Sequence, residues 1–309
     1  PGDLLLLGAG TFPAQPVITK PVNLEGEIDA GCSATAIDGS TSPAPRTPAL
    51  SFAGVSGITV SNLAVRYAGR NIPCGAHTDG EVGLDLLNVT GSLFTDLCLA
   101  QNGATELRVH GASAANTFQR LTIDGLIPAS KIGCAHVSRE GVRIDGGPVC
   151  EGGSGASADH NTVTQSTITN VVRGVVARLA SGSVVSGTTI TPAAGTDNYG
   201  TLDPIGVLVG PADGTLLTGL TIDSAVMQDG VRVAGRSAAD CLTERLDATA
   251  TTISASSIGD ALGAGIHLQK GPADPGTPLA TTITCDDVYR NRYGLLADAV
   301  GSGAPNHAT

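Results

Sequence analysis

Between residues 141 and 210 the chain reads GVRID (141–145), VTQSTI (163–168), GVVAR (174–178), VSGTTI (185–190) and GVLVG (206–210). Two patterns alternate. The first is glycine, apolar, any, apolar, any. The second is apolar, two turn residues, a small or apolar residue, any residue, apolar. Apolar spacing of two is the mark of a strand with one buried and one exposed face. Strands this short cannot each bury a face alone, so they must stack on one another around a shared interior.

The alternation extends both ways. Upstream lie ALSFA from Ala49, VSNLAV from Val60, GLDLL from Gly83, FTDLCL from Phe94, ELRVH from Glu106 and FQRLTI from Phe118. Downstream come LTGLTI from Leu217, GVRVA from Gly230, ISASSI from Ile253, GIHLQ from Gly265, ITCDDV from Ile283 and GLLAD from Gly294. The compact repeat is ~22 residues, a length typical of β-solenoids. The pattern therefore predicts an all-β chain, a right-handed parallel β-helix of about nine coils forming one domain over residues 1–309. A leucine-rich repeat would show L-x-x-L-x-L with Asn or Cys at a fixed place, and a propeller would need longer, aromatic-marked blades. Neither pattern occurs, and Trp is absent.

The opening stretch, PGDLLLLGAGTFPAQPVITKPVNLEGE (1–27), resembles the first coil of the pectin-lyase-like, NosD-type β-helix proteins. The repeats resemble that superfamily along the whole chain. The resemblance implies the fold more firmly than any activity. Such relatives carry a helical cap at the N-terminal end of the solenoid. None is legible here, so a fragment of a longer secreted protein is expected.

Composition narrows the function classes. The chain is 41% hydrophobic and 15% charged, with a net charge of −11. Lys20, Lys131 and Lys270 are its only lysines. Nucleic-acid binders are normally basic, so no nucleic-acid partner is expected. No apolar run approaches the ~18 residues of a membrane span. Seven cysteines without a CxxC pair fit disulfides and an oxidising compartment, hence an extracellular or cell-surface location. Sequence does not fix the connectivity; Cys134 with Cys150 and Cys241 with Cys285 are pairings the spacing allows, and one of Cys32, Cys74 and Cys98 is then left over.

Outward positions of the first pattern stack into columns about 4.8 Å apart per coil. One column reads Ser51, Asp85, Arg108, Arg143, Val176, Leu208, Arg232, His267, Leu296. The other reads Ala53, Leu87, His110, Asp145, Arg178, Gly210, Ala234, Gln269, Asp298. Charge concentrates in four adjacent coils, and Arg108 stands over Arg143, which is unfavourable unless an anion or carboxylate intervenes. Insertions fall beside the same coils and are expected to wall a groove, bringing Lys131, His136, Arg139, Glu140, Glu151, Asp159 and His160 near it.

Arginine forks bind carboxylates bidentately. An acidic polysaccharide or cell-surface glycan is thus the expected partner, held by Arg108, Arg178, Asp145 and Asp85. Lyase or epimerase chemistry neutralises a uronate carboxylate and removes the C5 proton. His110, Lys131 and Arg143 are the candidate catalytic groups. No cofactor is required; a Ca²⁺ on Asp145 with Asp85 or Glu151 is the weaker alternative to a salt bridge. His267 and Gln269 read as isolated surface residues. Asp286-Asp287 and the HTDG at 77–80 do not assemble a hydrolase pair, because about seven coils separate them, whereas inverting carboxyls need ~6.5–9.5 Å. The competing class is a non-catalytic surface or adhesive solenoid, in which the same arginines and aspartates satisfy one another.

Overall fold

The computed structural model describes residues 2–27, 34–41, 47–69, 72, 78–128, 136–146, 156–194, 202–234, 248–269, 280–284, 286–298 and 307–308. These residues form a parallel β-helix with three sheet faces. Face 1 carries the first pattern. Its rungs are Leu50–Ala53, Val82–Leu87, Thr105–His110, 141–145, 174–178, Ile205–Val209, Asp229–Ala234, Ala264–Gln269 and Tyr293–Ala297, with Val17–Ile18 ahead of them. Each pairs in parallel with the next.

The second pattern is a corner flanked by two strands. Its first residues lie on face 2, in short rungs such as Thr117–Gln119, Thr162–Thr164 and Val184–Ser186. Its last residues lie on face 3, as in Thr122–Asp124, 167–169 and 189–191. The turn residues between them supply the left-handed backbone. Asp96, Arg120, Gln165 and Ala255 all have φ near 50°.

Apolar side chains of the three faces point inward and form one core. Leu84, Leu107, Val142, Val175, Val207 and Val231 stack along face 1 with no exposed surface. The glycine that opens the first pattern is explained by close approach. A Cβ on Gly174 would lie 2.2 Å from Ile190 Cγ2 and 2.5 Å from the Gly206 carbonyl oxygen. A Cβ on Gly206 would lie 2.4 Å from Ile222 Cγ2. At Gly141, Gly174, Gly206 and Gly230 the face 3 isoleucine fills the space a side chain would need.

In the middle coils the corner carries paired asparagines. Asn116 and Asn161 stack one rung apart between faces 1 and 2. Asn116 Nδ2 donates to Asn161 Oδ1 at 2.9 Å, and Asn161 Nδ2 donates to the Ser113 carbonyl at 3.0 Å. Phe94 and Phe118 stack with centroids 5.2 Å apart. Among the described residues no helix is long and apolar enough to cross a membrane.

Candidate functional site

Both outward columns form in the register the sequence predicts. Asp85, Arg108, Arg143, Val176, Leu208, Arg232 and His267 lie over one another, as do Leu87, His110, Asp145 and Arg178. Arg108, Arg143 and Arg178 therefore share one face of the molecule.

The predicted clash of Arg108 over Arg143 is relieved by carboxylates on either side. Arg108 Nε donates to Asp85 Oδ1 at 2.6 Å, away from Arg143. Asp85 Oδ1 also lies 3.1 Å from His110 Nε2. Arg143 and Arg178 converge on Asp145, with N–O distances of 2.6 and 2.7 Å to Oδ2. Burial works to raise the Asp85 and Asp145 pKa values, but their charged partners outweigh it and hold both below the ordinary carboxylate range.

The insertions build a ledge beside this ladder. Leu126–Ile127 pairs antiparallel with 136–137, and the strand continues to Asp145. Its neighbour is the long strand Thr167–Arg178, which turns from face 3 into face 1. This extra pairing sets Glu140 against Arg173, just before the motif glycines. A third column follows: Thr105, Glu140, Arg173, Ile205, Asp229.

Columns and ledge line an open basin of about 360 Å³. Arg139, Arg143, Arg173 and Arg178 line it together with Asp79 and Glu140, and Val176, Leu202 and Leu208 form its remaining wall. Arg139 is ion-paired with Asp79 and lies 3.5 Å from Glu140. Arg143 also lies 3.7 Å from Glu140. Arg173 differs from the other three: among the described residues its buried Nε has no hydrogen-bond partner and its guanidinium makes no ion pair. Burial pushes its pKa down; Glu140 opposes this, and the like charges of Arg232 and Arg139 add to the lowering. An arginine stays protonated regardless, so the basin holds a partly buried cation that no carboxylate among the described residues contacts as an ion pair.

Of the predicted site residues, Arg143 and Arg178 line the basin and Asp145 braces them. Arg108, Asp85 and His110 form an adjoining cluster on the preceding rungs, outside its wall. Lys131 lies outside the described residues, as do Glu151 and every cysteine except Cys98, which is disulfide-bonded. Asp85 and Asp145 are each held by guanidinium groups; among the described residues no cluster of three or more metal-ligating side chains occurs.

Three expectations need correction. His136 does not face the groove: it is fully buried, its Nε2 2.7 Å from the Gly103 carbonyl. Asp159 and His160 sit at the opposite end of the face 1 strand, where Asp159 accepts from the Ser181 amide. His267 is not isolated, because its Nδ1 lies 3.0 Å from Asp229 Oδ2, which also binds Arg232. Sequence reading missed Arg173 as a site residue. The signal was present: Glu140 and Arg173 each immediately precede a motif glycine, a column left unread.

No protein-family model matches the sequence, and no curated protein matches it. Solved structures do match. The chain is similar to an alginate lyase from Paenibacillus sp. str. FPU-7, with 15% identity and a TM-score of 0.69, over 98% of this chain and 93% of that one. It is similar to the A-module of the mannuronan C-5 epimerase AlgE4 of Azotobacter vinelandii, with 13% identity and a TM-score of 0.53, over 100% and 91%. It is also similar to the Streptococcus pneumoniae surface protein and adhesin PfbA, with 10% identity and a TM-score of 0.59, over 99% and 91%. At such identities the likeness establishes the right-handed parallel β-helix, and the activity must be argued from the site itself.

Proposed function

We propose that the protein works outside the cytoplasm, binds an acidic polysaccharide across face 1, and acts on it as a lyase or epimerase. The observation that carries this reading is Arg173, whose buried Nε has no partner among the described residues, in a basin lined by three further arginines. Leaving a charge partly desolvated and unpaired is costly, and a bound carboxylate removes that cost. Neutralising a uronate carboxylate also acidifies the C5 proton beside it. His110, held by Asp85 in the cluster adjoining the basin and one rung from Asp145, is the described candidate for the base. Lys131 is the second candidate, from its place in the adjacent insertion. The disulfide at Cys98 supports an oxidising compartment.

A panel of uronate polymers tests the reading. β-Elimination raises ultraviolet absorbance through the unsaturated product. Epimerisation in D₂O leaves absorbance unchanged and places deuterium at C5. The absence of both, with no binding to any uronate glycan, overturns the proposal. Binding without turnover supports the second reading, a carbohydrate-adhesive solenoid. The pairing of Arg108, Arg143 and Arg178 with Asp85 and Asp145 favours that outcome.

A further inference from the structure

We propose that the basin selects a uronate-containing glycan that presents a methyl group beside its carboxylate, with the methyl seated on Val176, Leu202 and Leu208. The inference rests on the uronate reading above and names the substrate class within it.

The outward column over this region runs Asp85, Arg108, Arg143, then Val176 and Leu208, then Arg232 and His267. Two successive outward positions are apolar in an otherwise charged run. Leu202 joins them from the segment ahead of Ile205–Val209 and is anchored against the small buried cluster of Val137 and Val172. One cavity thus has a guanidinium side and a hydrocarbon side. An anion satisfies the first and contributes nothing to the second. Apolar surface is stabilised only by other apolar surface. A sugar that fills both sides carries its carboxylate toward Arg143, Arg173 and Arg178 and a methyl toward Leu208.

Two sugar chemistries supply that methyl: an O-acetyl ester on the uronate, or a 6-deoxy sugar next to it. Calorimetric titration of the whole protein separates them. The ligands are an acetylated uronate polymer, the same polymer after mild alkaline deacetylation, and a polymer alternating uronate with 6-deoxyhexose. The methyl-bearing partner should bind about fourfold tighter for each methyl buried. Tighter binding of the acetylated form assigns the ester, and tighter binding of the alternating form assigns the deoxy sugar. Leu208→Met should keep the preference, and Leu208→Asn should reduce the ratio to about one. Leu202→Asn, on a separate segment, is the second variant, and thermal melting of each shows that it is folded. Equal affinity of the wild type for all three polymers, or an unchanged ratio in both Asn variants, overturns the inference while leaving the uronate reading intact. Failure of every polymer to bind removes that reading instead.

Discussion

At the residue scale, Arg173 and Glu106 show what an unsatisfied or buried charge does in this solenoid. The buried Nε of Arg173 has no hydrogen-bond partner among the described residues, so Arg173→Gln removes a partly desolvated charge at little loss of contact. Urea unfolding should show stability unchanged or slightly raised. Binding of a uronate polymer should weaken by about ten- to hundredfold, the loss of a charge-assisted hydrogen bond of ~1.5–3 kcal/mol. A large fall in stability would show that the guanidinium has a structural partner after all. Glu106 is the opposite case. It occupies the place of a motif glycine and is fully buried; its carboxylate accepts from the Asn102 amide at 3.0 Å and the Ser138 hydroxyl at 2.7 Å. Burial pushes its pKa up to about 8, against an ordinary 4.5, with the Asn102 and Ser138 hydrogen bonds only partly opposing. It is therefore a proton-bearing acid at neutral pH, and its role is local packing and hydrogen bonding.

At the scale of the element, the middle of the repeat works because the motif glycines Gly141, Gly174, Gly206 and Gly230 yield their space to an isoleucine from another face. Gly174→Ala would place a methyl 2.2 Å from Ile190 Cγ2 and 2.5 Å from a carbonyl oxygen. The carbonyl belongs to the neighbouring rung, so neither neighbour can move without disturbing the ladder. Overpacking of this kind costs ~1–3 kcal/mol or more. A urea midpoint equal to the wild type's would contradict the close-packed corner. The same geometry explains why the charged ledge forms where it does. Glu140 and Arg173 stand next to these glycines, at the bend into face 1, and the paired insertion at 126–127 and 136–137 extends the sheet to support them.

At the scale of the molecule, the buried carboxylates set the pH range of stability. Asp85, Asp145 and Asp229 are held below their ordinary 3.8. At low pH the unfolded chain binds more protons than the native one, so their contribution is present above about pH 4 and is lost as pH falls through the lowered values. Glu106 acts in the other direction. Between pH 4.5 and about 8 the native state binds the extra proton, and stability falls with rising pH by up to about 1.4 kcal/mol per unit. Stability should peak at mildly acidic pH, and Glu106→Gln should flatten the alkaline limb when midpoints are compared at pH 5 and 8. An unchanged alkaline limb in that variant would exclude Glu106 as its cause. The coil repeat, the inward and outward positions and the stacking of Arg108 over Arg143 were all legible in the sequence, because a period of two and a regular coil translate directly into columns. The three-sided cross-section was half legible: the turn residues inside VTQSTI marked a corner, but which faces it separated did not show. Only tertiary structure decided how the charges resolve, since a guanidinium reaches over several ångströms and its partner depends on neighbouring rungs and insertions. Asp145 took Arg143 and Arg178, His136 turned inward, and Arg173 joined the basin lining, because the long-range pairing of 138–145 with 171–178 placed them so.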